Sequence, residues 1–244
     1  MLHVMGAWTA GEVLGFDLET TGIDRFNDVP VSYALVQVVG GVVVRSWSGL
    51  IDPGRDIPAD ATEVHGISTE RARDEGMPLD AAVSLLADAV VSAGRRGVPL
   101  AGMKLDYDLT MLETQGVQMC GRGIVQRGWS GPVLDAGVID RHFDPERRGR
   151  RTLVDLCGHY GIEIMRAHDA SVDAIASMEV LFALASQHDA LRECDLIRLH
   201  EDQIEWHREW AQEYDGWRIS QGMIPIDPLD YQWPLVPAAL TPAA

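Results

Sequence analysis

The sequence predicts an α/β domain in which a mixed β-sheet is covered by helices. Three observations lead there. β-rich runs come first, at Val13–Asp17, Val31–Val39 and Val42–Leu50, with Gly40–Gly41 between the last two as a hairpin signal. Helical and short strand patterns then alternate, and helical patterns close the chain, the order of an antiparallel meander extended by parallel strands. Finally, 244 residues with 46% hydrophobic and 23% charged side chains suffice for one medium-sized core.

Beyond the hairpin, Ser68 or Thr69 offers a cap for a short polar helix. Pro78 suits the first turn of a helix running to about Ala93, with Ala82, Leu85, Leu86, Ala89 and Val90 at helical spacing. Val98–Ala101 reads as a buried strand, Tyr107–Gln115 as a helix, and Val133–Val138 as a second buried strand. Thr152–Tyr160 reads as a helix stopped by Gly161, and Ala170–Gln187 as a long helix with a buried face. One further helix is expected over Ala190–Trp217, with Trp206, Trp210 and Trp217 sealing it onto the domain or forming a subunit interface. The stretch that follows holds five of the twelve prolines and reads as an extended, mobile tail. The expected organisation is a domain over residues 1–188, a helical extension over 189–219 and a proline-rich tail over 220–244.

Composition narrows the function. No apolar run approaches the roughly 20 residues of a membrane helix, and the first residues lack the basic start and long apolar stretch of an export signal. Cys120, Cys157 and Cys194 are far apart and in no C-x-x-C spacing, so a reducing cytoplasm is expected and no membrane partner. Twenty Lys and Arg against 37 Asp and Glu give a net charge of −17. Such a surface argues against gripping long duplexes by neutralising many phosphates. It remains compatible with holding a strand terminus through cations bound to the protein's own carboxylates, which reverse the local field.

The stretch FDLETTG ends the first strand on two acids. Residues two apart on a strand share a face, so Asp17 and Glu19 project together while Phe16 and Leu18 turn into the core. Paired carboxylates repel unless a cation lies between them, and oxygen ligands suit hard ions such as Mg²⁺ and Mn²⁺. Thr20, Thr21 and Gly22 place N–H groups and hydroxyls where a phosphate or sugar can be received. Farther along stand Asp108 at the start of a helix, and His168 and Asp173 around the start of the long helix. Each alone is an ordinary helix-start residue.

Taken in order, D-x-E, then Asp, then H-x-x-x-x-D resembles the signature of the DEDDh 3′–5′ exonucleases, and the chain is similar to the DNA polymerase III epsilon-subunit-like members of that superfamily. The resemblance covers Val13 to Phe182 and includes EVHGIST at residues 63–69. VLDAGVIDRHFDPERRGRRTLVDLCGHYGIE with AHDASVDA looks particularly like actinobacterial members. It implies a ribonuclease H-like sheet and two divalent cations, Mg²⁺ or Mn²⁺. Asp17, Glu19 and Asp173 would hold one, Asp17 and Asp108 the other, with His168 as general base, a role suited to the side chain that titrates near neutrality. Leu18, Thr20, Thr21, Gly22 and His65 would receive the terminal nucleotide. The implied substrate is the 3′ end of single-stranded or frayed DNA. An RNA-trimming enzyme of the ribonuclease T or oligoribonuclease kind shares the same motifs, and a polymerase-associated binding subunit is the reading from another class.

The second motif departs from the family pattern. Met103 and Lys104 stand where His and Asn are usual, and Asp106 rivals Asp108 as ligand, although Tyr107 fills the aromatic place before Asp108. Weaker signals remain. Arg141, Arg147, Arg148, Arg150 and Arg151 form a basic cluster that either steers a strand toward the site or is a solvated face. His200 and His207 do not have zinc-motif spacing. Gln232–Val236 has a faint likeness to sliding-clamp-binding peptides, so a polymerase or clamp is a candidate partner for the tail.

Overall fold

The computed structural model describes residues 8–164 and 168–240; residues 1–7, read above for an export signal, and the last four residues of the tail lie outside them. Strand β1 (Glu12–Thr20) pairs antiparallel with β2 (Pro30–Val39), and β2 with β3 (Val42–Asp52) across the Gly40–Gly41 turn. The two-residue β4 (Met77–Pro78), absent from the sequence reading, runs parallel to the end of β3. On the other side of β1, β5 (Leu100–Gly102) and β6 (Val133–Asp135) add in parallel, giving the order β4-β3-β2-β1-β5-β6. This is the mixed, helix-covered sheet expected.

Helices α1 (Ala59–His65), α2 (Thr69–Glu75), α3 (Leu79–Arg95) and α4 (Leu105–Cys120) follow the meander. Leu14, Phe16 and Leu18 alternate into the core that α3 and α4 cover. Burying a side chain like Phe16, wholly inaccessible here, stabilises the fold by about 1.5–3 kcal/mol. The opposite face of β1 meets α7 (Ala170–Gln187), whose bounds match the sequence reading. Gly15 makes that contact close, since a Cβ there would lie 2.6 Å from Cε of Met178. The close approach brings Asp173, one residue before Ala174, to the face that carries Asp17 and Glu19.

Several expectations are corrected. In α3 the buried seam is Ala82, Val83, Leu86, Ala87, Val90 and Val91, and Leu85 is exposed. The apolar run at 133–138 is a strand only to Asp135, whose carboxylate accepts the N–H groups of Gly137 and Val138 and starts α5 (Ala136–Phe143). Helix α6 (Leu153–Tyr160) has a Thr152–Asp155 capping box and ends at Gly161, as read. The single helix expected from Ala190 is two, α8 (Asp189–Glu193) and α9 (Leu196–Ser220), divided where Asp195 caps the second. On α9, Trp206 packs against the core, whereas Trp217 is exposed.

The proline-rich tail is not free of the domain. Trp233 and Leu235 are buried in the core beneath α3 and α4, and Val236, also buried, donates its N–H to Oγ1 of Thr110 at 2.9 Å. This short stretch of the tail satisfies a backbone group on α4 and its apolar groups in the core, which proline content alone does not reveal. The basic cluster divides similarly. Arg147 and Arg151 turn inward onto the buried Asp140 carboxylate, which also accepts the Tyr160 hydroxyl at 2.8 Å. Arg141 lies 4.0 Å over the Trp210 ring, leaving Arg148 and Arg150 exposed.

Candidate active site

The structure brings together the acids picked out in the sequence. Asp17 and Glu19 occupy the end of β1, Asp108 the first turn of α4, and Asp173 the first turn of α7. Burial, then the neighbouring Asp108, Glu19 and Asp173 charges, holds the Asp17 carboxyl well above the usual carboxylate range. Burial and the Asp173 and Asp169 charges push Glu19 up to about 7. Asp108 is buried and also raised, by desolvation first and then by Asp106 and Glu19. Crowded carboxylates with no cation between them raise one another in this way.

His168 sits at the rim, exposed, in the left-handed backbone region at φ 69°. Its N–H donates to Oδ2 of Asp173 at 3.0 Å. The other Asp173 oxygen, Oδ1, is buried and finds no hydrogen-bond partner among the described residues. Glu19, His168 and Asp173 each offer a ligand atom, all within 4.8 Å of one another. An orphaned buried carboxylate oxygen in a set of mutually repelling acids fits a hard divalent cation.

Asp106 and Asp108 separate by direction. Asp108 faces Glu19 and Asp17, whereas Asp106 meets Arg25 at 3.6 Å. Burial, then the Asp135 charge, pushes Asp106 up to about 7. Lys104 is exposed, with φ 58° at the start of α4.

The turn after β1 is held from several sides. The Tyr107 hydroxyl donates to the Gly22 carbonyl at 2.5 Å, and the Thr20 hydroxyl donates to the same carbonyl at 2.7 Å. A Cβ at Gly22 would lie 2.5 Å from the Asp28 carboxylate and would push against the group that accepts the Thr21 hydroxyl at 2.7 Å. Thr21 is therefore a strut: its hydroxyl is spent on Asp28, and its N–H on the Val29 carbonyl at 2.9 Å. The Leu18 side chain is buried in the core, so only its backbone is placed to meet a ligand. His65, at the end of α1, lies against the Thr20 backbone with Nδ1 accepting the Ile67 N–H at 3.1 Å. Burial keeps its pKa below the ordinary value, and because Nδ1 accepts an N–H the ring proton sits on Nε2, which is itself buried.

A cleft of about 540 Å³ opens beside these groups, lined by Glu19, Tyr33, His65, Arg71, His168 and Asp169 among others. Sequence reasoning missed Tyr33, Arg71 and Asp169. Asp169 had a signal, since it caps α7 by accepting the Ser171 N–H directly after His168. Arg71 had none, because α2 reads as an ordinary polar helix.

The mixed sheet and the acid-lined cleft at the end of its central strand define a nuclease-type site. Residues 14–181 match the family model described as RNase_T, Exonuclease, and the chain belongs to that family, within the DEDDh exonuclease superfamily. The PolC-type DNA polymerase III of Latilactobacillus sakei is 27% identical over 195 residues, covering 79% of this chain and 12% of the polymerase. A DNA polymerase III subunit epsilon-like protein of Rhodobacter capsulatus is 29% identical over 180 residues, covering 69% of this chain and 23% of that protein. The chain thus spans only a minor part of the length of these relatives. Among solved structures, Exonuclease I superposes with a TM-score of 0.64 at 20% identity, over 81% of this chain and 44% of that chain. The E. coli Exonuclease I complex with a dA16 oligonucleotide has a TM-score of 0.62 at 20% identity, with the same coverage. Identity at this level concerns the fold, and the fold is shared.

Proposed function

We propose that the domain is a divalent-metal-dependent 3′–5′ exonuclease that removes nucleotides from single-stranded or frayed DNA ends. The observation that carries this reading is the clustering of Asp17, Glu19, Asp108 and Asp173 around one point, with Glu19 and His168 lining the cleft beside it. Asp17, Glu19 and Asp173 would hold one cation, Asp17 and Asp108 a second, with Mg²⁺ or Mn²⁺ the ions of choice for an all-oxygen set. When bound, the cations supply charge stabilisation to an in-line displacement at phosphorus.

The protein's own groups do the rest. His168 takes the proton of the attacking water, and its exposed position lets that proton pass to solvent. Asp173 orients His168 by accepting its backbone N–H. The His65 ring, which lines the cleft, and the Thr20–Gly22 turn receive the terminal nucleotide, with Thr21 bracing the turn from behind.

DNA is favoured over RNA by the polymerase III relatives and by the single-stranded DNA in the Exonuclease I complex. The polymerase kinship also supports a replication complex as partner. A sliding clamp is less suited to the tail, since Trp233, Leu235 and Val236 are buried. Among the described residues no helix is long and apolar enough to cross a membrane, and the three cysteines are free, which supports a cytoplasmic setting.

The test is degradation of a labelled single strand with Mg²⁺ or Mn²⁺ by the parent, Asp17→Ala and His168→Ala. His168→Ala should slow the reaction about 10²–10⁴-fold, the usual contribution of a general base, and Asp17→Ala should abolish it. Parent-like rates in either variant would sink the assignment, and matched RNA and 5′-labelled DNA substrates decide sugar preference and direction.

A further inference from the structure

We propose that the tail is a working part of the nucleotide seat, with Arg25 and Asp230 as positioning residues that hold the 22–28 loop through one shared guanidinium. Three segments meet at that group. Arg25 Nη2 donates to Oδ1 of Asp230 at 2.6 Å, and Nη1 lies 3.6 Å from Oδ2 of Asp106. The Arg25 side chain is only 13% exposed, while that of Asp230 is 45% exposed, so the guanidinium is enclosed and its tail partner reaches it from the surface.

The placement of the two residues gives the contact its meaning. The loop begins at Gly22, whose carbonyl Tyr107 holds, and ends at Asp28, whose carbonyl accepts Nε2 of Gln115 at 3.2 Å. Between these anchors Ile23 stands 96% exposed. Arg25 ties the middle of the loop to α4, one residue before Tyr107 and two before Asp108, and to the tail. Asp230 is itself fixed, because its carbonyl meets Nε2 of His207 on α9 at 2.9 Å, while the neighbouring Tyr231 hydroxyl donates to Asp215 at 2.9 Å. A rigid path therefore runs from α9 through the tail to the turn that follows Asp17 and Glu19. If Arg25 served only to balance Asp106, its second carboxylate from a segment 205 residues away would be superfluous.

The inference rests on the nuclease reading, so one measurement is independent of activity. Asp230→Asn, Arg25→Ala, Arg25→Lys and the Arg25→Ala/Asp230→Asn double variant are compared with the parent by hydrogen exchange and by kinetics on a single-stranded oligonucleotide. Asp230→Asn keeps the tail's apolar anchors and leaves Arg25 its Asp106 partner, so it should fold. Exchange across 22–28 should quicken about tenfold in Asp230→Asn and Arg25→Ala while β1 is unchanged, the local opening expected when one anchor is lost. KM should rise about fivefold with kcat within about twofold, as for a lost binding contact, and Arg25→Lys should recover part of it. The double variant should be no worse than Arg25→Ala alone. Unchanged loop exchange in Asp230→Asn, an unchanged KM, or additive effects in the double variant would each overturn the proposal. A parent that cleaves no oligonucleotide would overturn the nuclease reading, and loop exchange would still decide whether Asp230 holds the loop.

Discussion

Replacing Glu19 by glutamine should stabilise the metal-free domain while removing its activity. In the folded protein Glu19 is pushed from an ordinary 4.5 up to about 7, by burial first and then by the Asp173 and Asp169 charges. One pH unit between folded and unfolded values corresponds to about 1.4 kcal/mol, which sets a ceiling of about 3 kcal/mol. The carboxyl borders an open cleft, so solvent screening reduces the expected effect to about 1–2 kcal/mol. The sign follows from the direction of the shift. The folded state holds a proton that the unfolded chain releases earlier, so this contribution to stability is complete below about pH 4.5 and is lost as pH climbs through about 7. At pH 8 the parent therefore carries a buried charge that the amide does not. Thermal melts in EDTA should show Glu19→Gln above the parent by roughly 2–6 °C at pH 8 and level with it near pH 4.5. Adding Mn²⁺ should raise the melting point of the parent by more than that of the variant, which keeps only the Asp17 and Asp108 pair intact. A variant that melts below the parent in EDTA at pH 8, or an offset equal at both pH values, would refute the crowding of charge inferred at this site.

Two further outcomes follow from packing. Trp233→Ala should destabilise the domain by about 3 kcal/mol in urea unfolding, because it opens a cavity in the core shared with Phe16 and Leu100; a change below about 0.5 kcal/mol would mean that the tail is only laid on the surface. Asp140→Ala should cost about 3 kcal/mol by leaving Arg147 and Arg151 without their shared carboxylate, whereas Arg148→Ala, on an exposed residue, should be nearly neutral in the same unfolding assay.

What was legible in the sequence was mostly local. The β1–β3 meander, the stop of α6 at Gly161 and the bounds of α7 all rest on local patterns, and the structure keeps them. The run at 133–138 failed because a short apolar stretch has no period that separates strand from buried helix, and the decisive signal was Asp135 acting as a cap in its middle. The break between α8 and α9 carries neither Gly nor Pro, only Asp195 accepting two N–H groups. In the cleft, the acids and His168 could be picked out because their order and residue types are distinctive, and the structure gathers them. The Arg25–Asp230 contact and the inward turn of Arg147 and Arg151 could not, because each depends on where distant segments are brought by the packing of the whole core.

The burial of Trp233, Leu235 and Val236 also sets an order of events during synthesis. Phe16 and Leu100 emerge from the ribosome before these residues, yet they share one core with Trp233 and Leu235. Until the tail arrives, the apolar surface beneath α3 and α4 stays partly open to water, and the growing chain can hold only an incomplete domain. A domain closed by its own tail stays unfinished until residues 233–236 have been made.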